Sequence, residues 1–239
     1  MNAVELYREG KLDDAIQVLG AALRKDPGDA QRRIFLFELL CFAGEYERAE
    51  KQLGVLSDAS SEAAAGALLY RSALHAERTR QEMFRSGLLP ESGIVPKPVS
   101  GTFNGVPVQS VTDADPRIGA RLEVYAAGQY MWIPLEQIES VRMEPPQRLR
   151  DLLWAPAIVR PAPGFQGYEL GEVLVPVVTP RACEHADGEV RLGQVTEWTT
   201  TDDGVEVPVG QKLLLVDGEE RPILELRELV VSPRVAHEP

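Results

Sequence analysis

A short pattern occurs twice in the N-terminal part of the chain, and this repetition limits the possible folds more than any other feature. Residues 10–15 (GKLDDA) return as residues 44–49 (GEYERA), so both the glycine and the alanine recur after 34 residues. At the same spacing, Leu19 recurs as Leu53. A fixed period of this length indicates stacked supersecondary units, each of which buries its apolar face against its neighbour.

A period of about 34 residues is that of tetratricopeptide repeats, whose unit is a pair of antiparallel helices. Gly10 and Gly44 fall where one helix must end, since glycine accepts the positive φ of a helix C-terminus. Pro27 closes the first unit because it disfavours helix at the residue before it. Residues 1–86 are therefore predicted to form a tetratricopeptide-like helical domain.

The apolar pattern divides this domain into two kinds of helix. Apolar residues between Leu12 and Leu23 follow the i, i+3, i+4, i+7 spacing of a one-sided helix. Residues 34–42 are apolar almost all round, as in an inner helix covered on several sides. A third helix is predicted from about Ser60 to Arg85, with Ser60 or Ser61 as its cap and its charged end in solvent.

The inner helices of such repeats form a groove that suits an amphipathic helix of another protein. The repeat phase predicts the inner-face positions as partner-binding residues: Tyr7, Arg8, Gln31, Ile34, Glu38, Cys41 and Phe42. The alternative is that Ile34, Cys41 and Phe42 pack against the third helix or against a second domain.

Beyond the repeats, the sequence predicts a second and different domain. Residues 87–118 contain alternating prolines and glycines and are predicted to be a linker or crossover. Residues 119–233 contain short strand patterns, including a hairpin around Ala127-Gly128 and another at Asp217-Gly218, and residues 234–239 form a tail. The predicted fold class is α+β, with a β-rich C-terminal domain built as a small barrel or a bent sheet.

Composition narrows the possible partners and the compartment. The formal net charge is −12, which disfavours nucleic acid because affinity for it depends on Lys and Arg neutralising phosphates. No segment approaches the roughly 18 apolar residues of a membrane span, and residues 1–9 lack the pattern of a secretion signal. We therefore expect a cytoplasmic protein with no membrane or nucleic-acid partner.

The sequence contains no pattern that predicts catalysis. Phosphate-binding loops, nucleophile elbows and zinc-protease motifs are missing, and only three histidines occur: His75, His185 and His237. Residues 183–187 group Cys, Glu, His and Asp, but neighbouring side chains of one loop rarely converge on a metal. We expect Trp132, Trp154 and Trp198 to be core residues, and no catalytic residue, cofactor or metal site.

Taken together, these motifs resemble the ImpE/TagJ family of accessory proteins of bacterial type VI secretion systems. In the N-terminal half the resemblance is carried by residues 6–15, 26–30, 33–40 and 44–49. In the C-terminal half it is carried by residues 113–119 (DADPRIG), 129–134 (QYMWIP), 149–156 (LRDLLWAP), 191–193, 210–216 and 224–229.

The resemblance implies a cytoplasmic adaptor without catalytic residues. Family members are thought to contact a helix near the N-terminus of the small subunit of the contractile sheath, and to influence sheath handling by the ClpV-type unfoldase. This chain is a shortened member, because relatives usually carry more helix between the third helix and the motif at residues 113–119.

Two other functions remain open at this point. The chain could be a structural scaffold that self-associates through its apolar helices and has another cytoplasmic partner. It could also be a hydrolase acting in the β-rich half, which would require a polar pocket around Trp132, Trp154 or His185.

Overall fold

The computed structural model describes residues 1–58, 61–90, 96–163, 165 and 170–232. The predicted tail at residues 234–239, with His237, and the predicted cap Ser60 lie outside the described residues. Within the described part of the chain, no helix combines the length and apolar character needed to cross a lipid bilayer.

Five helices form the N-terminal half: α1 (Ala3–Arg8), α2 (Leu12–Lys25), α3 (Ala30–Phe42), α4 (Tyr46–Ser57) and α5 (Ser61–Ser86). The first begins at Asn2, whose side-chain oxygen accepts from the backbone N–H groups of Val4 and Glu5. Gly10 separates α1 from α2 and Gly44 separates α3 from α4, both at φ +72°. The two predicted hairpins and the third helix are confirmed.

The described residues of the C-terminal half form twelve strands: β1 (Val99–Phe103), β2 (Val106–Asp113), β3 (Arg121–Ala126), β4 (Gln129–Pro134), β5 (Ile138–Met143), β6 (Trp154–Pro161), β7 (Gly171–Pro176), β8 (Glu197–Thr200), β9 (Glu206–Val209), β10 (Leu213–Val216), β11 (Glu219–Pro222) and β12 (Glu228–Val231). Ten of them form one antiparallel sheet in the order β11-β10-β2-β1-β12-β5-β6-β7-β3-β4, and β8 pairs with β9 alone. A short helix, α6 (Gly188–Arg191), and several 3₁₀ turns complete the described elements.

The ten-stranded sheet curls into a half-barrel around its own apolar core. Alternate strand residues such as Val111, Val124, Val141 and Val175 are almost completely buried in this core. The predicted α+β class, with a helical-repeat half followed by a bent sheet, is thereby confirmed.

Two details of the β-rich half differ from the prediction. The segment predicted as a linker at 87–118 contains β1 and β2, which lie inside the main sheet between β10 and β12. The turn at Asp217-Gly218 does join a hairpin, but its second strand is β11, and residues 223–225 form a 3₁₀ turn before β12 begins. Long-range pairing orders these residues despite their many prolines and glycines.

The two halves share one continuous interface. Tyr125, Leu153, Trp154 and Leu192 of the C-terminal half belong to the same buried cluster as the apolar residues of α1 to α5. Helix α5 lies against β3 and β4 and supplies most of the polar contacts across the interface.

Candidate protein-binding site

The C-terminal part of the inner face of α3 is covered by the C-terminal half of the chain. Glu38, Cys41 and Phe42 are all buried, so their prediction as members of an open partner-binding groove is wrong. Cys41 and Phe42 line a small closed cavity together with Leu153, Trp154 and other residues of the β-rich half. The alternative interpretation, packing against the second domain, holds for Cys41 and Phe42.

Polar side chains of α5 hold the β-rich half against the helices. The charged end of this helix was predicted to lie in solvent. Glu77 is buried and accepts hydrogen bonds from the hydroxyl of Tyr125, from Nε1 of Trp154 at 3.0 Å and from Nε2 of Gln81 at 2.6 Å. Gln81 in turn accepts from the backbone N–H of Arg181 at 2.9 Å. These contacts join one helix to three separate segments of the β-rich half.

A second group of charges lies one turn further along α5. The fully buried guanidinium of Arg80 donates to both carboxylate oxygens of Glu123, at 2.8 and 3.2 Å, and to the carbonyl of Val178 at 3.0 Å. The ammonium group of Lys212, also buried, contacts Glu123 and Asp113. Every charge in this buried cluster therefore has an oppositely charged neighbour, as a low-dielectric interior requires.

The pKa values within the cluster follow from these neighbours. Burial alone would raise the pKa of Glu123, but the charges of Arg80 and Lys212 outweigh it and hold that pKa well below its ordinary value. At Asp113 burial is the stronger effect, and it raises the pKa to about 6 against the opposing charge of Lys212. At neutral pH the cluster contains two cations and ionised carboxylates.

The remaining part of the inner face is open. Val4, Tyr7 and Arg8 of α1, together with Phe35 of α3, form one wall of a groove of about 400 Å³. The other wall is the segment 146–149 with Leu152, which precedes β6. Tyr7 packs edge-on against Phe35, with 6.1 Å between the ring centroids. We call this the α1 groove.

Of the seven residues predicted to bind a partner, only Tyr7 and Arg8 line the α1 groove. Gln31 and Ile34 are exposed on α3 but lie outside the groove. Sequence reasoning missed Arg148, Leu149 and Leu152 as groove residues. For Leu149 and Leu152 the available signal was the segment 149–156 (LRDLLWAP), which was used only as part of the family resemblance.

The other chemically distinctive residues form no site in the described part of the chain. No group of three or more His, Cys, Asp and Glu side chains there converges on a metal position. His185 accepts from the backbone N–H of Asp187 at 3.1 Å, and Cys183 packs under Gly44. Trp154 is buried as expected, whereas Trp198 is exposed and donates to Glu220 at 3.1 Å.

Comparison with known proteins connects this structure with two family descriptions. Residues 105–230 match the family described as ImpE protein, and residues 6–72 match a tetratricopeptide repeat. Over 266 aligned positions the chain is 34% identical to the type VI secretion system accessory component TagJ of Pseudomonas aeruginosa, covering 98% of this chain and 92% of that protein.

A solved structure has the same fold. The crystal structure of a Vibrio parahaemolyticus protein superimposes with a TM-score of 0.83 at 22% sequence identity, covering 99% of both chains. The pairing of helical repeats with a curled sheet is thus found in a protein of another sequence.

Proposed function

Since this chain belongs to the ImpE family, we propose that it is a cytoplasmic, non-enzymatic adaptor of a bacterial type VI secretion system. In this role it binds a helix of the small subunit of the contractile sheath and thereby modulates sheath handling by the ClpV-type unfoldase. The relative from P. aeruginosa, named as an accessory component of that system, supports the assignment.

The observation that carries the binding role is the α1 groove. It leaves apolar side chains uncovered beside a charged one, at Tyr7, Arg8 and Phe35. An exposed apolar groove between helices is the usual receptor for an amphipathic helix. The chain's own C-terminal half leaves this part of the repeat surface free for a partner.

The test is direct binding between purified proteins. A fluorescent peptide spanning the N-terminal helix of the small sheath subunit encoded in the same bacterium is titrated with wild type, Tyr7→Ala and Val18→Ala. Val18 lies on α2, outside the groove, and serves as a matched exposed control. We expect Tyr7→Ala to weaken binding at least about tenfold, or 1.4 kcal/mol, and Val18→Ala to bind as wild type.

Circular dichroism must first show that both variants retain the fold. Equal binding by the two variants would contradict the groove as the binding site. If wild type fails to bind the peptide and also fails to recover the sheath subunit from lysate, the adaptor role itself is wrong.

A second function, self-association as a scaffold, is supported by a different surface. Leu68 and Leu69 of α5 are 63% and 73% exposed on adjacent positions, and Val55 of α4 is 50% exposed. Sedimentation over a wide concentration range tests this function. A mass that remains that of one chain at every concentration excludes it.

A further inference from the structure

The α1 groove combines an apolar floor with guanidinium groups. Tyr7, Phe35, Leu149 and Leu152 are half-buried and supply the apolar surface, and Val4 extends it toward solvent. Arg8 and Arg148 also line the groove, one from each wall. We propose that this groove selects an acidic amphipathic helix, whose carboxylates pair with Arg8 and Arg148. The proposal rests on the proposed function and specifies the chemistry of the partner.

The walls of the groove determine that the occupant is helical. One wall is made of α1 and α3, and the other includes the 3₁₀ turn at Leu149–Leu152. The backbone groups within such helices are already paired, so they do not offer the ladder of free donors and acceptors that an added strand needs. Such walls favour an occupant that pairs its own backbone groups, as a helix does.

The positive charges of Arg8 and Arg148 favour a partner with negatively charged residues. The chain has a net charge of −12, and many of its exposed arginines are paired with carboxylates, such as Arg48 with Glu45 and Arg142 with Glu228. Arg8 and Arg148 form no ion pair with any residue in the described ranges. Two guanidinium groups without an ion pair in the described ranges, beside apolar surface, favour a ligand with carboxylates next to an apolar stripe.

The experiment uses the full chain and two synthetic helical peptides with the same apolar face. The peptides, about 15 residues each, have leucines at i, i+3, i+4 and i+7, and differ only in flanking residues, which are Glu in one and Lys in the other. We expect the Glu peptide to bind wild type at least about tenfold more tightly than the Lys peptide, with a preference that falls as salt is added.

Charge reversal assigns the preference to the groove. Arg8→Glu and Arg148→Glu should each remove or invert the preference, whereas Arg142→Glu, on β5 and outside the groove, should leave it unchanged. Equal binding of the two peptides, tighter binding of the Lys peptide, or no binding of either would overturn the proposal. An Arg142→Glu effect equal to that of Arg148→Glu would also overturn it, because the preference would then reflect net charge.

The sheath peptide separates this proposal from the proposed function. If the Glu peptide binds with the expected arginine dependence but the sheath peptide does not, the groove chemistry stands and the assignment of the partner is wrong. If the sheath peptide binds through Tyr7 but is insensitive to both charge reversals, the adaptor function stands and the acidic-helix proposal is wrong.

Discussion

The two ends of the inner face of the helical repeats differ in their exposure to solvent. Along the C-terminal part of α3 and along α5, the chain's own β-rich half covers the surface and buries Cys41, Phe42 and Arg80. At α1, the same face stays open and presents Tyr7 and Arg8 to solvent. The C-terminal half therefore covers the C-terminal part of the inner face, whereas the part lined by Tyr7, Arg8 and Phe35 stays open as a groove.

The two ends also differ in how their charged side chains are paired. In the covered region the charges are matched within the chain, because Arg80 and Lys212 meet Glu123 and Asp113. In the open region, Arg8 and Arg148 form no ion pair within the described ranges, and the proposed partner would supply their carboxylates. We therefore expect substitutions of the paired charges in the covered region to lower the free energy of unfolding. Substitutions in the open region should instead weaken binding of a partner.

The largest effect on stability is expected from Arg80→Met in the covered region. This change removes one cation and leaves Glu123 buried with a single cationic neighbour, so unfolding free energy should fall by about 3–5 kcal/mol. Urea denaturation followed by circular dichroism measures the difference. The control, Arg85→Met, removes two exposed pairs, one with Glu82 and one across the interface with Glu184, and should cost less than about 1 kcal/mol. Similar losses in the two variants would show that the buried cluster does not hold the halves together.

The next largest effect is expected from truncating one aromatic side chain at each end of the inner face and comparing stability with binding. Phe42→Ala should lower the unfolding free energy by about 3 kcal/mol, because the side chain is buried between the halves. Tyr7→Ala should cost less stability because Tyr7 is only half-buried, yet it should lose the binding of the sheath peptide. Calorimetry gives stability and peptide titration gives binding. A Phe42→Ala variant that stays folded but no longer binds would erase the distinction between the covered and open regions.

A smaller and pH-dependent effect is expected at Glu38, at the boundary between the two regions. Burial raises the pKa of Glu38 from 4.5 to about 7, although Arg150 opposes the shift. A carboxyl whose pKa is raised by folding lowers stability as pH rises between its unfolded and folded values, here from about 4.5 to 7. Glu38→Gln should therefore stabilise the protein by on the order of 2 kcal/mol at pH 8 and have little effect at pH 4.5.

Urea denaturation at the two pH values measures this difference between variant and wild type. Glu139→Gln removes the same charge from an exposed position on β5 and should show no such pH dependence. A Glu38→Gln variant that is less stable than wild type at pH 8 would mean that the ionised carboxylate, held by Arg150, contributes to the boundary.

The helices could be predicted from the sequence because their determinants are local. The 34-residue spacing, the glycines at 10 and 44 and the one-sided apolar pattern of α2 each act within one repeat. The hairpin of β3 and β4 was predictable for the same reason, since its turn at Ala127-Gly128 lies between adjacent strands. Both elements are fixed by residues a few positions apart.

The covered surface could not be predicted because its partners are distant in the chain. Arg80 meets Glu123 across 43 residues and Glu123 meets Lys212 across 89. A signal was nevertheless present on α5, where Glu77, Arg80 and Gln81 occupy one face at helical spacing. The charged end of the helix, with Glu77 and Arg80, was predicted to face solvent because, without the sheet, nothing indicated a buried partner for these two side chains.

The smallest effect is expected where the second repeat contacts the β-rich half, between Gly44 and the sulfur of Cys183. Gly44 has φ +72°, and a Cβ added there would lie 2.8 Å from Sγ of Cys183. Gly44→Ala should therefore cost about 1–2 kcal/mol, in part from the backbone conformation and in part from the crowded contact. Repeating the change in a Cys183→Ala background removes the sulfur but keeps the Cβ of residue 183, 3.1 Å from the added methyl, so the comparison measures the contribution of the sulfur alone. Gly54→Ala, in open space on α4, should instead be stabilising by up to about 1 kcal/mol. If the cost of Gly44→Ala is the same in both backgrounds, the sulfur of Cys183 adds nothing to it, and backbone strain and the contact with the remaining Cβ account for the cost. A smaller cost without the sulfur would show that the covered surface begins at the loop between α3 and α4.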